Sequence, residues 1–214
     1  MEKKIYINPG HSDKDPGAVG YEKERELNVK VSQYQQDYLL ANYDCQVRMN
    51  PGTLGNLSAI AKDANDWGAD LFVSNHFNAG GGDGWEGLVY NSARVPLGQC
   101  FEKHVKEAGQ NSRGVKLRPD LAVLRLTNMP AVLNEGAFVD NKTDIADWNE
   151  DGELKKLGIA YAKATAEFLK LEASKVEENV LYRVQVGAYR EKANAEKMQE
   201  SLKNAGFDGV IVSA

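Results

Sequence analysis

The chain has 214 residues, 42% of them apolar and 27% charged, with a formal net charge of −5. That length suits one full domain plus a small appendage, and the balance is that of an ordinary soluble globular protein. The acidic excess argues against a nucleic-acid partner, which would require a basic face.

After Met1-Glu2-Lys3-Lys4 only Ile5-Tyr6-Ile7 are apolar before polar residues return. No stretch is long enough for a signal peptide, and none approaches the roughly 20 residues of a membrane helix. The expectation is a protein made in the cytoplasm that does not insert in a membrane. From residue 1 to about 170, β-type runs alternate with helical patterns, the mark of an α/β domain. Strands are expected at Lys4–Asn8, Cys45–Met49, Asp70–His76, Gly87–Asn91, Leu121–Arg125 and Ala131–Glu135. Helices are expected from about Glu24 to Leu40, Leu57 to Trp67, Leu97 to Ala108 and Glu153 to Leu171, the first, second and last with apolar residues at helical spacing. The fold class implied is a mixed, mostly parallel twisted sheet flanked by helices and followed by a small β-α-β unit. Gly80-Gly81-Gly82-Asp83-Gly84 reads as a flexible loop beside a site. Cys45 and Cys100 lack C-x-x-C neighbours and read as reduced thiols.

The segment 172–180, charged and poor in large apolar groups, reads as a linker. After it, Leu181–Ala188 alternates like a strand, Ala195, Met198, Leu202 and Ala205 form a helical stripe, and Gly209–Ser213 reads as a second strand. Residues 181–214 are too few to bury an independent core.

Chemistry enters at the strand ends. The chain has three histidines, and two of them, His11 and His76, follow apolar strand-like runs, as does Glu135. In open α/β sheets ligands bind beyond the carboxyl ends of the strands. Two imidazoles and a carboxylate delivered there suggest a metal centre. Catalytic zinc takes three protein ligands and leaves a position for water. Glu24, at the first turn of the first helix, is the candidate third ligand, with Glu22 and Glu26 competing from the same segment. A hydrolytic zinc site also needs a proton shuttle. Glu135, at the end of a buried strand where desolvation raises a carboxyl pKa, is placed for it, and Glu86 is its rival. His104 lies in a polar helical stretch and reads as a surface residue.

Ile7-Asn8-Pro9-Gly10-His11, Asp15-Pro16-Gly17-Ala18 and Glu24-Arg25-Glu26-Leu27-Asn28 resemble the opening of the zinc-dependent N-acetylmuramoyl-L-alanine amidases of the amidase-3 type. The likeness continues through Ser74-Asn75-His76-Phe77-Asn78-Ala79 and Met129-Pro130-Ala131-Val132-Leu133-Asn134-Glu135-Gly136-Ala137-Phe138, covering about residues 4 to 170. Two departures stand out. Ser12-Asp13 replaces the usual Gly-Gly after the first histidine, and Ala137 separates Gly136 from Phe138. The resemblance implies one zinc ion held by His11, Glu24 and His76, and Glu135 as the catalytic glutamate. It selects Glu24 among the three acids because the family's ligand stands four residues before an Asn, here Asn28. It implies peptidoglycan as the substrate, cut between N-acetylmuramic acid and L-alanine. Asn78, Arg125 and Glu86 are candidate substrate contacts. Another zinc wall peptidase, or a wall-binding protein without activity, are the alternatives.

Leu181-Tyr182-Arg183-Val184-Gln185-Val186-Gly187-Ala188-Tyr189 resembles the start of a SPOR-type peptidoglycan-binding module, and residues 181–214 resemble half of one. The expected organisation is a catalytic domain at 1–171, a linker at 172–180 and the half-module at 181–214. Half of a split β-α-β-β-α-β fold leaves a slot for a strand, so a homodimer through 181–214 is expected. Spore-former autolysins and phage endolysins resemble this arrangement, which implies action at the bacterial wall after holin-mediated release or lysis.

Overall fold

The computed structural model describes residues 2–54, 56–174 and 185–212. The chain divides into two compact units, Met1–Lys175 and Val176–Ala214. Among the described residues the first holds six strands, β1 (Lys3–Pro9), β2 (Cys45–Met49), β3 (Leu71–Asn78), β4 (Trp85–Val89), β5 (Ser112–Leu117) and β6 (Ala131–Phe138), and six α-helices, α1 (Glu24–Asn42), α2 (Leu57–Trp67), α3 (Val95–Glu107), α4 (Ala122–Arg125), α5 (Lys142–Ala146) and α6 (Asp151–Leu169). The second holds α7 (Lys192–Asn204).

The strands form one sheet in the order β2-β1-β3-β6-β4-β5. β2, β1, β3 and β6 run parallel; β4 pairs antiparallel with β6 and parallel with β5. Helices cover both faces, which is why the inner strands read as continuous apolar runs rather than alternating ones. Ile5, Ile7, Leu71 and Val73 pack on one side with Leu27 and Val31 of α1, Phe101 of α3, and Leu154, Leu157 and Tyr161 of α6. Tyr6, Phe72, Leu88 and Leu133 pack on the other with Ile60 and Ala64 of α2 and Val123 and Leu124 of α4.

Buried amides bridge the inner strands on both faces of the sheet. Asn8 Nδ2 donates to Ser74 Oγ, and Asn50 Nδ2 donates to Asn8 Oδ1. On β3 and β6, Asn134 Nδ2 donates to Asn75 Oδ1, while Asn75 Nδ2 donates to Ser32 Oγ and Gln35 Oε1 of α1. Asn8 with Ser74, and Asn75 with Asn134, are register partners on neighbouring strands.

Three expectations from the sequence change. Within Leu121–Arg125, Ala122–Arg125 forms the short helix α4, not a strand; Val123 and Leu124 are adjacent and both buried, and four apolar residues carry too little periodicity to separate the two states. β5 went unanticipated because Ser-Arg-Gly-Val-Lys-Leu carries a glycine and two cations on an exposed edge. α5, capped by Asn141 Oδ1 accepting from the Thr143 and Asp144 N–H groups, is one turn long and was likewise not anticipated.

The Gly80–Gly84 loop is pinned rather than loose. Asp140 accepts from the Gly80 and Gly81 N–H groups, Asp144 Oδ2 from Gly84 N–H, and Asn141 Nδ2 donates to the Gly82 carbonyl. Residues 172–174, expected to open the linker, instead pair with the turn after α1: Asp44 N–H donates to the Glu172 carbonyl and Ser174 N–H to the Asn42 carbonyl.

In the second unit, residues 209–212 form no strand. The expected strand at 181–188 falls partly outside the described residues, and 185–188 form none. A strand needs a ladder partner, and one helix with short flanks supplies none. Phe207 and Val210 stay exposed at 65% and 87%.

Candidate metal centre

β1 and β3 lie side by side; β1 ends at Pro9, opposite Asn75, and β3 runs on past it through His76 to Asn78. The chain leaving β1 turns at Pro9-Gly10-His11, and His11 sits in the left-handed region at φ 64, an uncommon conformation for a residue with a Cβ. That turn brings its ring towards His76 of β3, with ring centroids 5.1 Å apart. α1 then begins at Glu24, whose carboxylate enters between the two imidazoles. Glu24 Oε2 lies 3.0 Å from His11 Nε2, and Glu24 Oε1 lies 2.7 Å from His76 Nδ1. One donor atom from each of the three residues falls within 4.8 Å of the others.

The surroundings fix these three side chains. His11 Nδ1 lies 2.9 Å from Asp15 Oδ2. Glu24 Oε2 accepts from Ala18 N–H, and Oε1 from Phe77 N–H and Asn28 Nδ2. Asn28 also donates to the Gly10 carbonyl, as Arg25 does to those of Pro9 and Gly10. Two glycines leave room. A Cβ on Gly10 would stand 2.3 Å from the His76 ring, and one on Gly17 (φ +69) 2.5 Å from both Glu24 Oε2 and His11 Cδ2. Burial opposes ionisation of Glu24, but its hydrogen bonds to His11 and His76 outweigh that and hold its pKa well below the usual carboxylate range. Its hydrogen bond to Glu24 raises the His11 pKa to about 9.

Glu135 of β6 stands beside His76 in register. Its Oε2 is sealed from solvent and has no hydrogen-bond partner. Burial first, then the charges of Glu24 and Glu86, push its pKa up to about 8. Glu86 of β4 faces Glu135 across the antiparallel pair. It is held as an anion, because ion pairs to Lys116 and Arg113 outweigh the cost of its burial. Asn78 Nδ2 donates to Glu86 Oε2 at 3.4 Å. Arg125 is exposed on α4.

The structure thus brings His11, Glu24, His76, Glu135, Glu86 and Asn78 to one end of the sheet. Glu22 lies 3.4 Å from Asn149 Nδ2 and Glu26 pairs with Lys23, so neither joins the cluster. Sequence reasoning missed Asp15, Arg113 and Lys116. Asp15 lies in the Asp-Pro-Gly-Ala segment, so a signal was present; the two cations depend on strand geometry that the sequence pattern does not display. His104, expected on a solvated face, has only 11% of its side chain exposed, because Glu167 of α6 covers it 2.8 Å from Nε2. Cys100 lies in the same group. Its thiol is pushed up to about 11 by burial, and Lys103 shares Glu167 with His104, so this cluster is a clasp between α3 and α6.

Residues 5–167 match the N-acetylmuramoyl-L-alanine amidase family, and residues 152–213 match the SPOR domain family. The SPOR match begins earlier than residue 181, within α6, whose buried face packs in the first unit. The chain is 32% identical over 218 residues to N-acetylmuramoyl-L-alanine amidase CwlM of Bacillus licheniformis, spanning 98% of this chain and 84% of that one. It is 36% identical over 185 residues to an endolysin of Bacillus phage SPP1, spanning 80% and 68%. The catalytic domain of CwlV, an N-acetylmuramoyl-L-alanine amidase from Bacillus (Paenibacillus) polymyxa var. colistinus, superposes with a TM-score of 0.74 at 27% identity, over 79% of this chain and 99% of that one. The chain belongs to the amidase-3 family of N-acetylmuramoyl-L-alanine amidases.

Proposed function

We propose that this family member cuts the amide between the lactyl group of N-acetylmuramic acid and L-alanine in peptidoglycan, with one zinc ion held by His11, Glu24 and His76 and with Glu135 moving the proton. The observation that carries the reading is the convergence of two imidazole nitrogens and a carboxylate oxygen within 4.8 Å, next to a buried carboxylate oxygen with no partner. Two nitrogens and one oxygen form a donor set suited to zinc with an open position.

When bound, the metal supplies a Lewis acid and an acidified water. The protein's own groups do the rest. Asp15 holds the His11 ring in the tautomer that leaves Nε2 free to ligate. The N–H groups of Ala18 and Phe77 and the Asn28 amide fix the Glu24 carboxylate. The unpartnered Oε2 of Glu135 takes a proton from the attacking water and returns it to the departing alanine nitrogen. Its raised pKa suits both transfers, since a group near neutrality can accept and donate.

The test is amine release from defined muropeptides, with and without a chelator, followed by identification of the new amino terminus. An L-alanine amine that disappears on chelation supports the reading; cleavage elsewhere in the stem would make the protein a different wall peptidase.

The organisation is a catalytic region to about 174, since 172–174 pair with the turn after α1, then a connector to 180 and a wall-binding half-module from 181 to 214. The exposed Phe207, Val210 and Val212 support pairing of two such tails into one module. Light scattering on the full chain and on a chain ending at Leu171 tests this, and two monomers at tens of micromolar would refute it. No helix among the described residues is long and apolar enough to cross a membrane. Cytoplasmic synthesis, with access to the wall through a holin or by lysis, fits the endolysin relative.

A further inference from the structure

The β4–β5 edge carries a construction that amide hydrolysis at the metal does not use. Trp85 pairs with Ser112 and Gly87 with Val115, so on β5 two residues, Arg113 and Gly114, oppose the single residue Glu86. Gly114 adopts φ +84 to make this bulge. Side chains alternate along a regular strand, so residues 113 and 116 would face opposite sides. The extra residue reverses the phase, and both Arg113 Nε and Lys116 Nζ reach Glu86 Oε1.

The two cations share one carboxylate oxygen, and this leaves one positive charge unbalanced. The terminal guanidinium nitrogens of Arg113 have no protein acceptor among the described residues, and Lys116 uses one of its three donors. Both side chains are accessible, at 43% and 45%. The Arg113 guanidinium lies 5.3 Å over the Phe138 ring, which holds it from one side. Arg118, paired with Asp120, continues the same edge, and Arg125 adds charge near Asp120. Four cations therefore gather here against Glu86, Asp120 and the neighbouring Glu135, on a chain whose net charge is −5.

We infer that this edge is a carboxylate-binding lip for the stem peptide, in which Arg113 and Lys116, mounted on Glu86, take the free α-carboxylate of the second residue from the scissile amide. The inference rests on the amidase reading above. Neighbouring strands are about 4.8 Å apart, so β5 lies roughly 10 Å from Glu135 across β4. The second residue of the stem is joined through its side-chain carboxyl, and its α-carboxylate lies roughly 5 to 7 Å from the scissile nitrogen. Planar, fork-shaped recognition of a carboxylate is what an arginine with free terminal nitrogens supplies. Glu86 thereby serves as the platform for the cations rather than as a substrate contact.

The experiment compares kcat/KM of the full chain on two muramoyl peptides that differ only in whether the second residue carries a free α-carboxylate or its amide. The wild type is expected to favour the acid by about tenfold, the scale of one charge-assisted hydrogen bond. Lys116→Gln and Arg113→Gln should each reduce that ratio, the double variant should bring it near one, and Lys116→Arg should retain it. Bound metal per chain is measured alongside to show that the variants are folded. Equal rates on both substrates in the wild type, or a ratio that survives the double substitution, would overturn the lip. If neither substrate is cut, the amidase reading falls, and the lip with it.

Discussion

Glu86 and Glu135 face each other across the antiparallel pair of β4 and β6, yet only Glu86 has cationic partners. Environment thus divides two like residues: one is a fixed anion and the other is pushed up to about 8. Glu86→Gln should lower the Glu135 pKa, because it removes a neighbouring negative charge and releases two cations beside it. Both effects have the same sign. The acid limb of the pH–rate profile should move to lower pH by on the order of one unit; an unmoved or raised limb contradicts the coupling.

Glu135→Gln should lose activity by about 10²- to 10⁴-fold while keeping its metal. The same change should stabilise the metal-free protein at high pH. The native group binds its proton up to about 8, whereas an unfolded glutamate ionises near 4.3. Stability is therefore full below the unfolded value and declines as pH rises through 8. Thermal melts of metal-free wild type and variant should agree near pH 4 and diverge progressively from there up to about pH 8, by on the order of a few kcal/mol.

Without metal, His11 holds its proton to about 9 because of Glu24. A ligand must be deprotonated, so metal uptake near pH 7 should release protons, and affinity should rise up to about tenfold per pH unit for each proton displaced. Calorimetry in buffers of different ionisation enthalpy measures the release directly; a buffer-independent heat would exclude it. In the metal-free protein the His11–Glu24 contact contributes stability that is full below the unfolded histidine value and is lost as pH rises through 9.

Asp15→Ala leaves the three ligands in place but removes the carboxylate 2.9 Å from His11 Nδ1. Metal affinity should fall by about 10- to 100-fold, read by competition with a chelating dye. Asp15 is exposed, so the melting temperature of the metal-free protein should change little.

Gly17→Ala places a Cβ 2.5 Å from Glu24 Oε2 at a positive φ. It should cost roughly 1–3 kcal/mol in strain and abolish stoichiometric metal. Gly68→Ala, also at positive φ but with nothing within 4 Å, is the control that separates backbone strain from collision with the ligands.

The sheet and the candidate ligands were legible in the sequence for different reasons. β1, β3 and β6 are buried on both faces, so their apolar runs announce them, and the residues just after such runs lie at the sheet's carboxyl end. Glu24 was not legible from position alone, since Glu22 and Glu26 share its segment; only the spacing to Asn28 in the family pattern separated them, and the structure shows Asn28 donating to Glu24 Oε1. Arg113 and Lys116 escaped because their shared target exists only once a bulge reverses the strand's phase. The first of the tail's expected strands was read from alternation, a pattern that signals a wish for a partner and does not supply one.

The buried amides of Asn8, Asn75 and Asn134 act as an alignment key for the active site. Side chains on a strand change face at every residue, so sliding β6 one position along β3 would swing Glu135 to the wrong side of the sheet and carry Asn134 away from Asn75. Aliphatic neighbours would tolerate that slip with modest loss. An amide sealed in the core and parted from its acceptor would not, at about 1–3 kcal/mol for each orphaned group. These polar pairs therefore select one geometry of the candidate site among several that hydrophobic packing alone would leave close in energy.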